Sequence, residues 1–125
     1  MKLHDTHSVE RAVLAQVVQA KSDVAEAADS LLELQRLTDT AGLEIVGQLT
    51  QNRLKPDGGT MFGSGKVADL KSLVEAKAAD TVIFDNELNA IQSYNLTKAL
   101  NTRVMDRTEI ILEIFARRAR SAEAQ

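Results

Sequence analysis

The run from Arg53 to Lys66, Arg-Leu-Lys-Pro-Asp-Gly-Gly-Thr-Met-Phe-Gly-Ser-Gly-Lys, gathers four of the chain's six glycines, its only proline and three cations. Glycines let a backbone come close to a ligand, a helix opening after them offers unpaired N–H groups at its positive end, and Lys66 adds a full charge. These are the parts of a phosphate-binding loop. Arg53, Lys55 and Lys66 are near enough in sequence to converge on one phosphate, with Gly63 and Gly65 as points of backbone approach. The loop is not a Walker A motif. That motif needs a glycine five residues before the Gly65-Lys66 pair and a Ser or Thr after it, where this chain has Thr60 and Val67. Turn geometry by itself explains Gly58-Gly59. Phe62 has two readings: it stacks on an exposed base, contributing roughly 1–3 kcal/mol, or it plugs the core beneath the loop.

Further cations are Arg103 and Arg107, which bracket the end of a short β-type run and can join the same positive patch, and the helical run Arg117, Arg118 and Arg120. Arg117 and Arg120 share a helix face, where pairing with Glu113 and Glu123 competes with contact to RNA. The carboxylates expected near the loop, Asp85, Glu87 and Asp106, lie in separate loops without a histidine, so no catalytic residue is assigned. His4 and His7 sit in a polar N-terminal segment read as a flexible tail, and no metal site is assigned. Asp80 and Asp85 flank a β-type run, but a receiver domain would also need an acidic pair where this chain has Gln19-Ala20.

Positioning these residues requires alternating strands and helices. Residues 11–18 read as a strand apolar on both faces, as in a buried parallel sheet. Asp23 can cap a helix to about Asp39, with Val24, Ala27, Ala28, Leu31 and Leu34 on one face and Gly42 as its stop. Leu43–Thr50 is a second strand, and Lys66–Ala78 a helix with the stripe Val67, Leu70, Val74 and Ala78. Thr81–Phe84 is a third strand. A helix from Asn89 to Leu100 turns Leu88, Ile91, Leu96, Ala99 and Leu100 inward, and Thr102–Met105 is a fourth strand. Asp106 caps a last helix whose Ile110, Ile111, Ile114 and Phe115 dock on the sheet. The β-α-β-α-β-α-β-α order predicts an α/β fold: a four-stranded, mainly parallel sheet in the order 2-1-3-4, flanked by about four helices. Ligands of such sheets bind at the carboxyl ends of the strands, which is where the glycine loop falls.

The chain's 125 residues fit one domain, taken as residues 11–120 after a flexible segment at 1–10. Its net charge of −3 gives no overall signature of a nucleic-acid binder. The balance is uneven, however: residues 1–50 hold four basic and eight acidic groups, residues 51–125 eleven and ten. Absence of cysteine excludes disulfides and thiolate chemistry. No apolar run reaches membrane-spanning length, and a cytoplasmic location is expected.

Several blocks in order resemble the N-terminal domain of the HflX family of ribosome-associated GTPases. They are Gly63-Ser64-Gly65-Lys66, Ala79 to Asp85 with Glu87-Leu88, Asn95-Leu96, and Val104-Met105-Asp106-Arg107-Thr108 through Ile111 to Ala116 with Arg118-Ala119. The resemblance implies that a two-helix hairpin and a GTP-binding domain follow, that residues 121–125 begin the connection to that hairpin, and that GTP and Mg²⁺ belong to the G domain with no cofactor in this chain. It implies as partners the large ribosomal subunit and its RNA, in splitting or rescuing ribosomes under stress. Self-association is expected to be weak or a result of truncation. The alternative is a small α/β module that holds a nucleotide such as ATP in the Gly63–Lys66 loop.

Overall fold

The structure is a computed structural model that describes residues 9–19 and 24–124, with side-chain surroundings as far as Ala119. The His4/His7 pair, most of the N-terminal segment, the Asp23 cap and the Arg120 side chain lie outside the described residues. The elements run β1 (Arg11–Gln19), α1 (Val24–Thr40), β2 (Glu44–Arg53), α2 (Ser64–Lys77), β3 (Thr81–Phe84), α3 (Ala90–Leu100), β4 (Arg103–Asp106) and α4 (Arg107–Ala124). All strand pairs are parallel, in the order β2-β1-β3-β4. The predicted order therefore holds.

β1 has a strand on each side and helices over both faces, so alternate residues enter two cores. Val13, Ala15 and Val17 pack with Leu70 and Val74 of α2 and Leu96 and Leu100 of α3. Ala12 and Leu14 pack with Leu34 of α1 and Ile110 and Ile114 of α4. The chain's direction of travel along the sheet reverses at β1, which makes the carboxyl ends of β1 and β3 the switch point of the topology.

Helix ends follow local chemistry. α1 closes with a Schellman turn, Leu43 N–H donating to the Thr38 carbonyl and Gly42 N–H to that of Asp39, with Gly42 at φ 86°. α3 opens on a capping box between Asn89 and Gln92. Asp106 and Glu109 make the same reciprocal pair at the start of α4.

Five expected core positions differ. Ile91 and Phe115 are 65 % and 62 % exposed, and Ala78 is exposed as the left-handed C-cap of α2. Gln92 takes the inward place beside Ile91 because its amide caps α3 and anchors a loop. On α1, Val24 and Ala28 are exposed, whereas Thr38 is fully buried with its hydroxyl donating to the Leu34 carbonyl.

Candidate functional site

The glycine loop is a built structure. Asp57 and Met61 exchange backbone hydrogen bonds of 2.9 and 3.0 Å, and the Asp57 carboxylate accepts from the N–H groups of Gly59 (2.8 Å) and Thr60 (3.0 Å). Phe62 N–H donates to the Thr60 carbonyl across Met61, whose φ of 64° makes this a γ-turn of the rarer hand. Two side chains of α3 hold the loop from beneath: Gln92 Nε2 donates to the Asp57 carbonyl and Asn95 Nδ2 to that of Gly59. Gln51 of β2 accepts from Gly63 N–H at 2.9 Å. The Asx turn could have been read from Asp57-Gly58-Gly59-Thr60. The Gln92 and Asn95 anchors, 35 and 36 residues away in sequence, carry no local signal.

The backbone bonds from Gly59 and Thr60 hold the Asp57 carboxyl below its usual value of 3.8. A carboxylate whose folded value is depressed stabilises the fold above its unfolded value and loses that contribution as pH falls through the folded one. The loop is therefore expected to loosen below about pH 4, where Gly59 and Thr60 amides should lose hydrogen-exchange protection. Asp57→Asn should remove that pH dependence. Unchanged protection of both amides through the titration of Asp57 would contradict the assignment.

Three cations surround the loop. Arg53 Nε donates to the Lys55 carbonyl, and its guanidinium lies so close over Gly63 that a Cβ there would meet Nη1. A side chain at position 63 would displace the far end of the flexible Arg53, and the φ of −66° does not itself call for glycine. Lys66 lies in the first turn of α2, whose N-cap Gly63 provides no side-chain cap. Neither Lys55 nor Lys66 is ion-paired with a described residue. Gly65 has open space around it.

Other candidates are placed elsewhere. Phe62 is fully buried, edge-on to Phe84 with centroids 5.2 Å apart, so the core-plug reading replaces base stacking. Arg103 begins β4 and pairs with Glu10 at 3.6 Å, at the amino-terminal edge of the sheet. Four residue steps along the strand separate it from Arg107 by about 13 Å, so the two do not share a patch. Arg117 pairs with Glu113 and lies beside Gly42, also toward that far edge, and Arg118 is exposed on α4.

Arg107 does reach the carboxyl edge, but it is occupied. Its Nη2 donates to Asp85 Oδ1 at 2.8 Å and to the Ser30 carbonyl at 2.7 Å, and Nη1 pairs with Glu33. Burial opposes its charge, but Asp85 and Glu33 outweigh that and hold the guanidinium firmly protonated. Asp85 Oδ2 accepts from Ser30 Oγ and Gln16 Nε2. A cleft of about 210 Å³ lies beside this network at the switch point, lined by Gln16, Val17, Glu26, Ser30 and Asp85 among others. Among the described residues no three carboxylates or histidines are grouped to hold a metal ion.

A family profile described as "GTP-binding GTPase N-terminal" matches residues 28–116. The chain is 42 % identical over 114 residues to the GTPase HflX of Caldanaerobacter subterraneus subsp. tengcongensis, covering 91 % of this chain and 26 % of that protein. It is 37 % identical over 97 residues to the GTPase HflX of Escherichia coli K12, covering 78 % and 23 %. It thus spans about a quarter of the length of the curated relatives it matches. A crystal structure of SsGBP in complex with GDP superposes with a TM-score of 0.64 at 20 % identity, covering 86 % of this chain and 29 % of that one, a likeness of fold. With the profile match over most of its length and the order of its sequence blocks, the chain belongs to the GTP-binding GTPase N-terminal family, as an HflX-type N-terminal domain.

Proposed function

We propose that this domain binds the large ribosomal subunit through its RNA and positions an HflX-type GTPase there, in ribosome splitting or rescue under stress. It is a binding and coupling module with no catalysis of its own; GTP and Mg²⁺ belong to the G domain that accompanies this family. The observation that supports this reading is the preformed loop at the carboxyl edge, with Lys55 and Lys66 unpaired among the described residues and Lys66 in the uncapped first turn of α2. Backbone groups already ordered by Asp57, Gln92 and Asn95 need little further ordering on contact with a phosphate backbone. Phosphate contact also suits an irregular RNA surface, because it does not depend on reading bases.

The test is association of the purified chain with large subunits across a salt series. Binding should weaken steeply with salt, and removing Lys55 or Lys66 by substitution with alanine should flatten the log–log slope by about 0.7–0.9 each. Arg118→Ala, on a different surface, should leave the slope unchanged. Salt-independent binding, or no binding to subunits or ribosomal RNA, would defeat the proposal. Saturable nucleotide binding abolished by Lys66→Ala would favour the mononucleotide reading instead.

A further inference from the structure

With Phe62 buried, the loop lacks the aromatic side chain that the sequence offered for a base. An exposed one stands next to it. Tyr94 is 63 % exposed on the outer face of α3, one residue before Asn95, whose amide holds the Gly59 carbonyl. Lys98 Nζ lies 5.5 Å from the centroid of the Tyr94 ring, over one face as a cation–π pair. Ile91, one turn earlier on the same side, is 65 % exposed. α3 contains no acidic residue from Ala90 to Leu100, and Glu87 is the carboxylate closest before it in sequence. Phe115 is similarly exposed, but α4 carries Glu109 and Glu113 and packs on the opposite side of the sheet.

We propose that Tyr94 is a stacking platform for an unpaired RNA base, with Lys98 contacting the adjoining phosphate, so that the RNA-facing surface extends from the glycine loop across the outer face of α3. An aromatic ring beside a cation, on a helix free of negative charge, has the chemistry that binds single-stranded RNA without reading its sequence. A flat ring on a capped helix is pre-ordered, and the hydrogen bonds from Gln92 and Asn95 tie its helix to Asp57 and Gly59 of the loop. This inference rests on the RNA-binding reading above and adds a base-recognition element to it.

Tyr94 is the chain's only tyrosine and there is no tryptophan, so intrinsic tyrosine emission reports on this ring alone. Titration with a single-stranded oligouridylate should quench that emission, and an RNA duplex of equal charge should quench it much less. Tyr94→Ala should weaken oligouridylate binding roughly 5- to 150-fold, while Tyr94→Phe should stay within about two-fold, because the ring and not the hydroxyl does the stacking. Lys98→Ala should flatten the salt slope by about 0.7. An unchanged melting temperature for Tyr94→Ala separates these effects from misfolding. If RNA binds with full affinity to Tyr94→Ala, and binds the unsubstituted chain without quenching its emission, the stacking site is wrong although RNA binding stands. If no RNA binds at all, both readings fall.

Discussion

Asp85→Ala is expected to cost about 3 kcal/mol of folding stability, near the lower end of what breaking a buried ion pair costs. The side chain is only 6 % exposed and its two oxygens accept from Arg107, Ser30 and Gln16, joining β3 to α4, α1 and β1. Removing it leaves Arg107 with Glu33, which is 63 % exposed and therefore a weak substitute. Ser30 Oγ and Gln16 Nε2 would lose an acceptor as well. Urea denaturation should show the midpoint falling with an unchanged m-value. Arg107→Ala should cost a similar amount, and the double variant should be less destabilised than the sum of the two, because the second change removes a group the first left uncompensated. A cost below about 1 kcal/mol for Asp85→Ala would show that solvent replaces the network, since surface pairs contribute no more than that. The same experiment assigns Arg107: RNA affinity per folded molecule should be unaffected by Arg107→Ala if its guanidinium serves the fold.

Phe62→Ala is expected to destabilise by about 3–5 kcal/mol, the range for truncating a fully buried phenylalanine. Its ring is at 0 % exposure, packed at 62° against Phe84 in the core formed with α2 and α3. The adjacent Met61, at φ 64°, is a position that L-residues occupy only when surrounding contacts hold them, and the buried ring is one of those contacts. Loss of the ring should therefore also release the γ-turn and expose loop amides to exchange. Phe62→Leu, which keeps much of the buried volume, should cost considerably less and leave RNA affinity intact. A Phe62→Leu protein that folds normally but binds RNA much more weakly would reinstate the stacking role that burial removes.

Much of the fold was legible before any coordinates. β1 reads as apolar on both faces because parallel strands are covered twice, and Val13 and Leu14 do enter opposite cores. Gly42 and Asn89 mark helix ends through local backbone chemistry. Ile91 and Phe115 are exposed although periodicity predicts them inward, because helical periodicity selects a stripe but does not say how wide the covered stripe is. At Ile91 a hydrogen-bonding need displaced an apolar residue, as Gln92 had a loop to hold. The site was legible as a place and not as an arrangement. Pattern put the glycine loop at the strand ends, but Arg103 and Arg107 appeared as neighbours because a sequence does not show that a short strand carries its two ends to opposite edges of a sheet.

Local order, in this chain, is written in short-range terms: the alternation of strand and helix, the caps, the turn made by Asp57 and its glycines, and the family blocks from Gly63 to Ala119. These depend on residues within a few positions of one another. The assignments that separate function from support depend on residues far apart. Arg107 donates to Ser30 across 77 positions and Gln92 to Asp57 across 35. Whether Phe62 or Tyr94 faces solvent was settled by which surfaces the sheet and its helices covered. Burial and long-range hydrogen bonding are properties of the packed chain, since each requires a partner that only folding brings into contact, and so Lys55 and Lys66 emerge as cations unpaired among the described residues while Arg107 becomes part of the frame.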